Sequence, residues 1–217
     1  MSQRSFLAAF YERRADVRRY MAALILAERD ANSGGPLSRR DHELRMFKAG
    51  GMLVLYNAVE ASARSGIEAI YDELSLNNVT FDDLRDTIKK RIVRDFKSNF
   101  SGDHGHTLSA LAIEIVSKSF DPSGLFSGNV DAKLIRQKGL EYGFSTESEY
   151  KRTSHGADLV TVKRHRNDLA HGLVSFGEVG RDYLANDLYR LSTRVLNYIE
   201  AILIEIDTYL DNGGYIA

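Results

Sequence analysis

Between Leu184 and Tyr209, apolar side chains recur at three- and four-residue steps: Leu184, Leu188, Leu191, Val195, Tyr198, Ile202, Ile206 and Tyr209. That period is one of an α-helix with a single buried stripe, and a stripe this long has to be covered by other helices or by a second copy. It predicts a final helix over about 180–211, ended by Asn212-Gly213-Gly214. A helix of that length needs long partners, which commits the rest of the chain to helices as well. The 217 residues contain two prolines, Pro36 and Pro122, so few points are barred to helix.

The partners are readable. A first helix over 5–31 repeats Phe6, Phe10, Val17, Tyr20, Met21, Leu24 and Ile25. Arg13, Arg14, Arg18 and Arg19 fall largely elsewhere on its surface; a solvated face is the plain reading, an RNA-contacting stripe the alternative. Asn32-Ser33-Gly34-Gly35-Pro36 ends it. A second helix over 38–74 buries Leu44, Phe47, Leu55, Val59, Ile67, Ile70, Tyr71 and Leu74, and Gly50-Gly51 either kinks it or admits a neighbouring helix. Thr80 is placed to cap a third helix, with Asp82-Asp83 in its first turn and Leu84, Ile88, Ile92, Val93 and Phe96 inward.

After a loop over 98–105, a short helix covers 108–119, and Asp121-Pro122-Ser123-Gly124 turns the chain. A helix over 131–142 follows, capped by Asn129 or Asp131 and stopped by Gly143, then one helical turn within 145–150. The next helix starts between Ser154 and Asp158 and ends at Gly172. Neither an internal repeat nor a linker is evident. The expectation is one all-α domain over 1–217, with 1–36 as an N-terminal elaboration and 37–217 as the core bundle.

Composition excludes several functions. No stretch is apolar enough to span a bilayer, and Met1-Ser2-Gln3-Arg4-Ser5 lacks the start of a signal peptide. The chain has no cysteine, which removes disulfides, thiolate zinc sites and thiol nucleophiles and fits a cytoplasmic location. A net charge of −1 is too small for a general nucleic-acid coat, though it allows a local basic patch.

The densest chemistry lies in Arg166-Asn167-Asp168-Leu169-Ala170-His171-Gly172. Arginine grips phosphate through several N–H donors, and histidine is the side chain that exchanges a proton near neutrality. The same residues also suit a capped helix end, where cations meet the helix dipole and Gly172 closes the turn. Asn167 and His171 are four apart and share a face, whereas Arg166 and His171 are five apart and point about 140° away from each other on an ideal helix. Lys163, Arg164, His165 and Asp168 flank the motif as candidate substrate contacts. Asp103-His104-Gly105-His106 reads as a solvated turn with no further ligands for a metal, and His155 and His165 as surface groups, with the groove as the alternative for His165. No cofactor is called for.

The 166–172 segment resembles the signature of the HEPN superfamily, in which an arginine, commonly followed by a polar residue, precedes a histidine by four to six positions. Arg166, Asn167 and His171 fit that pattern. Phe126-Ser127-Gly128-Asn129-Val130-Asp131, followed by 139–144, is similar to the MAE-type branch, whose layout spans about 47–209. The resemblance implies an all-α HEPN-like bundle, here with an additional long N-terminal helix. It implies a metal-independent endoribonuclease of a prokaryotic defence or toxin–antitoxin system, in which the 2′-hydroxyl attacks the adjacent phosphate. Arg166, His171 and Asn167 would be its catalytic residues. It also implies a homodimer whose two motif helices share one cleft, RNA as substrate, and an antitoxin or restriction-type protein as partner. Non-catalytic HEPN domains that bind RNA, nucleotides or proteins are the alternative, and a merely dimerising helical protein is the plainest one. Glu60 either faces the motif helix and pairs Arg166 or is an ordinary surface carboxylate.

Overall fold

A computed structural model describes residues 3–35, 41–99, 125–126 and 128–217. Three long helices carry the core: α1 (Ser5–Asn32), α2 (Asp41–Leu76) and, last in the chain, α8 (Ala185–Asp211). Each packs on the other two. Phe6, Phe10, Val17, Met21 and Leu24 of α1 join Leu55, Val59, Ile67 and Ile70 of α2 and Leu188, Val195, Ile199, Ile202 and Ile206 of α8 in one continuous apolar cluster. The apolar stripe of the final helix is thus covered within the chain. Gly50 and Gly51 do not interrupt α2; they admit α1, since a Cβ at Gly50 would lie 2.7 Å from the Tyr20 hydroxyl.

The shorter helices are α3 (Asp86–Asn99), α4 (Ala132–Tyr142), α5 (Tyr150–Thr153), α6 (Asp158–Ala170) and α7 (Phe176–Arg181). Asp131 caps α4 by accepting the Leu134 N–H at 2.8 Å, and Gly143 ends it at φ 90°. α6 lies against α2 and α8, α7 against α2, and α3 against α4. No described helix is long and apolar enough to cross a membrane.

Tertiary contacts shift several elements from their sequence expectation. The final apolar run is two helices. A Ser175–Glu178 capping box starts α7, and the Glu28 carboxylate receives the Ala185 N–H at 2.9 Å, fixing a new start for α8. Leu184, expected inside, lies in the break and is 61% exposed. Phe47, also expected inside, is 56% exposed, because its neighbour Lys48 turns inward to pair with Glu28 at 2.5 Å. Thr80 caps a 3-10 turn, Phe81–Asp83, instead of α3. The C-terminal tail holds that turn away from the helix: Arg85 N–H donates to the Tyr215 carbonyl, and Ala217 N–H to that of Asp83. Val93 of α3 is exposed.

The helical turn expected within 145–150 comes later, at Tyr150–Thr153. Residues 144–149 carry no regular secondary structure; Phe144 is buried against Tyr209, whose hydroxyl donates to the Tyr142 carbonyl at 2.7 Å. The loop expected over 98–105 does not begin at 98, since α3 runs to Asn99; residues 100–105, with His104, and His106, the 108–119 helix and the 121–124 turn lie outside the described residues.

Candidate functional site

α6 carries the motif, and both its ends are fixed. At its start, Arg194 of α8 grips Asp158 with Nε at 2.6 Å and Nη2 at 3.0 Å. Along it, Leu159, Val162, His165 and Leu169 face inward. At its end, the Gly172 N–H donates to the Leu169 carbonyl and the Leu173 N–H to that of Asp168, with Gly172 at φ 67°. This is a Schellman closure, and glycine takes the left-handed position without the Cβ penalty. His171 is the C-cap residue; its side chain is exposed and has no hydrogen-bond partner among the described residues.

Arg166 is held in a cradle. Its guanidinium carbon lies 5.0 Å from the centre of the Tyr56 ring on α2. Nη1 donates to Asn167 Oδ1 at 2.9 Å and reaches the Gly128 carbonyl at 3.5 Å. Gly128 stands at φ 71°, and a Cβ there would come within 2.9 Å of Nη1. The Tyr56 hydroxyl in turn accepts the Val130 N–H at 2.9 Å, and Asn167 Nδ2 donates to Asn129 Oδ1 at 3.3 Å. The segment 128–130 is therefore pinned to α2 and α6 together. Burial pushes the Tyr56 phenol up to about 12, with the Glu60 carboxylate adding to the rise and the Val130 N–H and Arg166 opposing it. Nε and Nη2 of Arg166 have no acceptor among the described residues, which leaves donors for an incoming oxyanion.

The other residues expected at the site divide. Lys163 is committed to an ion pair with Asp131, the cap of α4. His165 is a correction: it is 9% exposed, not a surface group open to substrate, and its Nε2 lies 2.8 Å from the Tyr183 hydroxyl. Burial, and then the neighbouring Arg164 cation, hold its pKa below the usual imidazole value. Arg164 is exposed and forms no ion pair among the described residues. Asp168 is half-buried, and its backbone carbonyl serves the helix closure. Glu60 does not pair Arg166 directly. It pairs Arg64 at 2.9 Å and acts on the Tyr56 hydroxyl that sits under Arg166. Arg166 and Asn167 are brought together with Tyr56, Gly128 and Asn129, while His171 points into solvent.

Tyr56 is the residue that local sequence reading missed. It is fully buried, and it meets the motif only because α2 passes beneath α6. Asp131, not Asn129, caps α4, and Asn129 meets Asn167.

The family model described as HEPN_MAE_28990:/-like HEPN matches residues 3–215. The chain belongs to this HEPN family. The match takes in α1 as well as the motif helix. No curated protein and no solved structure matches the chain. HEPN membership, with an all-α fold, places the chain among nucleases and RNA-binding modules. No group of three or more metal-binding side chains occurs among the described residues.

Proposed function

We propose that this HEPN domain is a metal-independent endoribonuclease of a prokaryotic defence or toxin–antitoxin system, acting as a homodimer in the cytoplasm. The observation that carries the reading is the division at the end of α6. Arg166 is immobilised with Nε and Nη2 still available, and His171 stands exposed at the terminus of the same helix. The 2′-hydroxyl attacks the adjacent phosphorus, the bond to the 5′-oxygen breaks, and a 2′,3′-cyclic phosphate and a 5′-hydroxyl remain. Arg166 stabilises the charge that grows on the phosphoryl oxygens, and Asn167 keeps its guanidinium in place. Such a reaction needs a base for the 2′-hydroxyl and an acid for the leaving oxygen. In this region α6 supplies one exposed histidine, since His165 is buried on Tyr183. A second subunit, related by a two-fold axis through the motif helices, supplies the other.

The purified protein is expected to cut single-stranded RNA in the presence of a chelator and to leave cyclic-phosphate ends. His171→Ala is expected to abolish cutting with an unchanged circular-dichroism spectrum. Persistent cleavage in that variant overturns the assignment. RNA or nucleotide binding without cleavage would instead mark a non-catalytic module, with Arg166 as its anion contact. Co-purification with an antitoxin or restriction-type protein tests the proposed setting.

A further inference from the structure

A second cleft lies at the other end of α6, whose start is about 12 Å along the helix from Arg166. It measures about 530 Å³ and is lined by Arg136 of α4, Thr146, Glu147 and Ser148 of the 144–149 segment, His155, and Tyr198 of α8. It shares no residue with the Arg166–His171 site.

Two features mark it as more than a surface dent. Tyr198 forms part of its wall while being 1% exposed, and its buried hydroxyl faces the Arg136 guanidinium, which acts on it. The second feature is the backbone. Ser154, His155 and Gly156 are all left-handed, at φ 49°, 48° and 74°. Two consecutive non-glycine residues in that region are costly and persist only when their surroundings enforce them. Here the turn is wedged in place: a Cβ at Gly156 would lie 2.7 Å from the Tyr198 ring and 2.8 Å from Ala132.

The strained turn arranges donors. It sets His155 Nδ1 3.3 Å from Ser148 Oγ, which lies 3.2 Å from Thr153 Oγ1. The His155 carbonyl accepts one N–H of Arg136 at 3.4 Å, which holds the guanidinium at the cleft. Arg136 has no acidic partner among the described residues. Arg136, His155, Ser148 and Thr146 therefore line one space. That set matches an anion with three terminal oxygens better than a planar carboxylate with two. The volume exceeds the needs of a free ion and leaves room for a small organic body. Glu147 opposes an anion, but it is exposed, where water and salt screen it.

We propose that this cleft binds a phosphate group, either as the free ion or carried on a small organic molecule. The test is titration of the full chain with inorganic phosphate, ribose 5-phosphate and acetate at constant ionic strength, followed by calorimetry and amide chemical shifts. Saturable phosphate binding, with shifts centred on Ser148 and His155, is expected. Tighter binding of ribose 5-phosphate assigns the organic form, and equal binding assigns the free ion. Arg136→Gln is expected to weaken binding about tenfold or more. Glu147→Gln is expected to strengthen it. Tyr198→Phe removes the hydroxyl that Arg136 faces and is expected to bind phosphate more weakly with an unchanged circular-dichroism spectrum. Equal affinity in wild type, Arg136→Gln and Tyr198→Phe overturns the proposal. So does an equal response to acetate, or binding that is lost in Arg166→Ala but kept in Arg136→Gln.

Discussion

Tyr56→Phe removes one oxygen and tests whether the cradle under Arg166 is assembled as described. The Tyr56 hydroxyl accepts the N–H of Val130, a residue that is itself fully buried. Without that acceptor the N–H is left unpaired away from water, which costs about 1–3 kcal/mol. For a domain of this size each kcal/mol moves the melting temperature by about 2–4 °C, so a fall of roughly 2–12 °C is expected. Burial pushes the Tyr56 phenol up to about 12, so it is neutral at ordinary pH and the deficit should not vary between about pH 6 and 9.

The phenylalanine ring keeps its contact with the Arg166 guanidinium, 5.0 Å from its centre. Tyr56→Leu loses that contact too. A cation over an aromatic face is worth about 0.5–2 kcal/mol, so kcat/KM for RNA cleavage is expected to drop a further 2- to 30-fold in Tyr56→Leu relative to Tyr56→Phe. Single-turnover cleavage, run well below both melting temperatures, reads this separately from unfolding. An unchanged melting temperature in Tyr56→Phe would refute the docking of 128–130 onto α2. Equal kcat/KM in the two variants would refute the claim that the ring orients Arg166.

Three further perturbations probe the supports of the motif helix. Burial raises the Asp131 pKa, but the Lys163 ion pair and the Leu134 N–H outweigh it and hold it below the usual carboxylate range. Its stabilisation is present above about pH 4 and lost as pH falls through the folded-state value, so acid melts of Asp131→Asn, which can still cap α4, should show a shallower decline and a loss of about 1 kcal/mol at pH 7. His165 is depressed by burial and by Arg164, so the fold loses stability as pH drops below about 6.5, the unfolded value. His165→Phe should flatten that part of the pH–stability curve, and an unaltered slope would show that His165 is not the group responsible. Gly156→Ala meets both a left-handed φ and a 2.7 Å clash with Tyr198, so a cost of about 2–4 kcal/mol is expected from denaturant unfolding.

Helices with strong periodicity were legible because their partners hardly affect where they run. α1, α2, α4 and α6 follow from apolar spacing and end residues, and Gly143 and Gly172 mark the stops of α4 and α6. The departures arise where a distant residue competes for a backbone group. Glu28 captures the Ala185 N–H and divides the final apolar run, and the C-terminal tail holds the turn after Thr80. Neither event leaves a trace in local sequence. At the site, five-residue spacing sets Arg166 and His171 on different faces of an ideal helix; Arg166 packs on Tyr56, and His171 is exposed at the C-cap. Tyr56 could not be read, because its role depends on α2 crossing under α6. Lys163 and His165 read as open groups from their position beside Arg166, whereas Asp131 and Tyr183 occupy them.

The placement of His171 rests on one backbone turn, and that turn has a twin elsewhere in the fold. Gly172 ends α6 at φ 67° and Gly213 ends α8 at φ 59°. Both close with the same two hydrogen bonds: Gly213 N–H donates to Leu210 and Gly214 N–H to Tyr209, as Gly172 and Leu173 do to Leu169 and Asp168. A Cβ at either glycine would meet nothing within 4 Å. Alanine at each therefore adds the same left-handed strain, about 1–2 kcal/mol, and no packing loss. Gly172→Ala and Gly213→Ala should melt within about 2 °C of each other. Only Gly172 lies next to His171, so relief of the strain there moves the exposed imidazole relative to the fixed Arg166. RNA cleavage should fall by tenfold or more in Gly172→Ala and by less than twofold in Gly213→Ala, displacement of about 1 Å being enough for such a loss. Equal activity in the two variants would mean that His171 takes no part in the chemistry, and the exposed side of the helix end would then be no more than a cap.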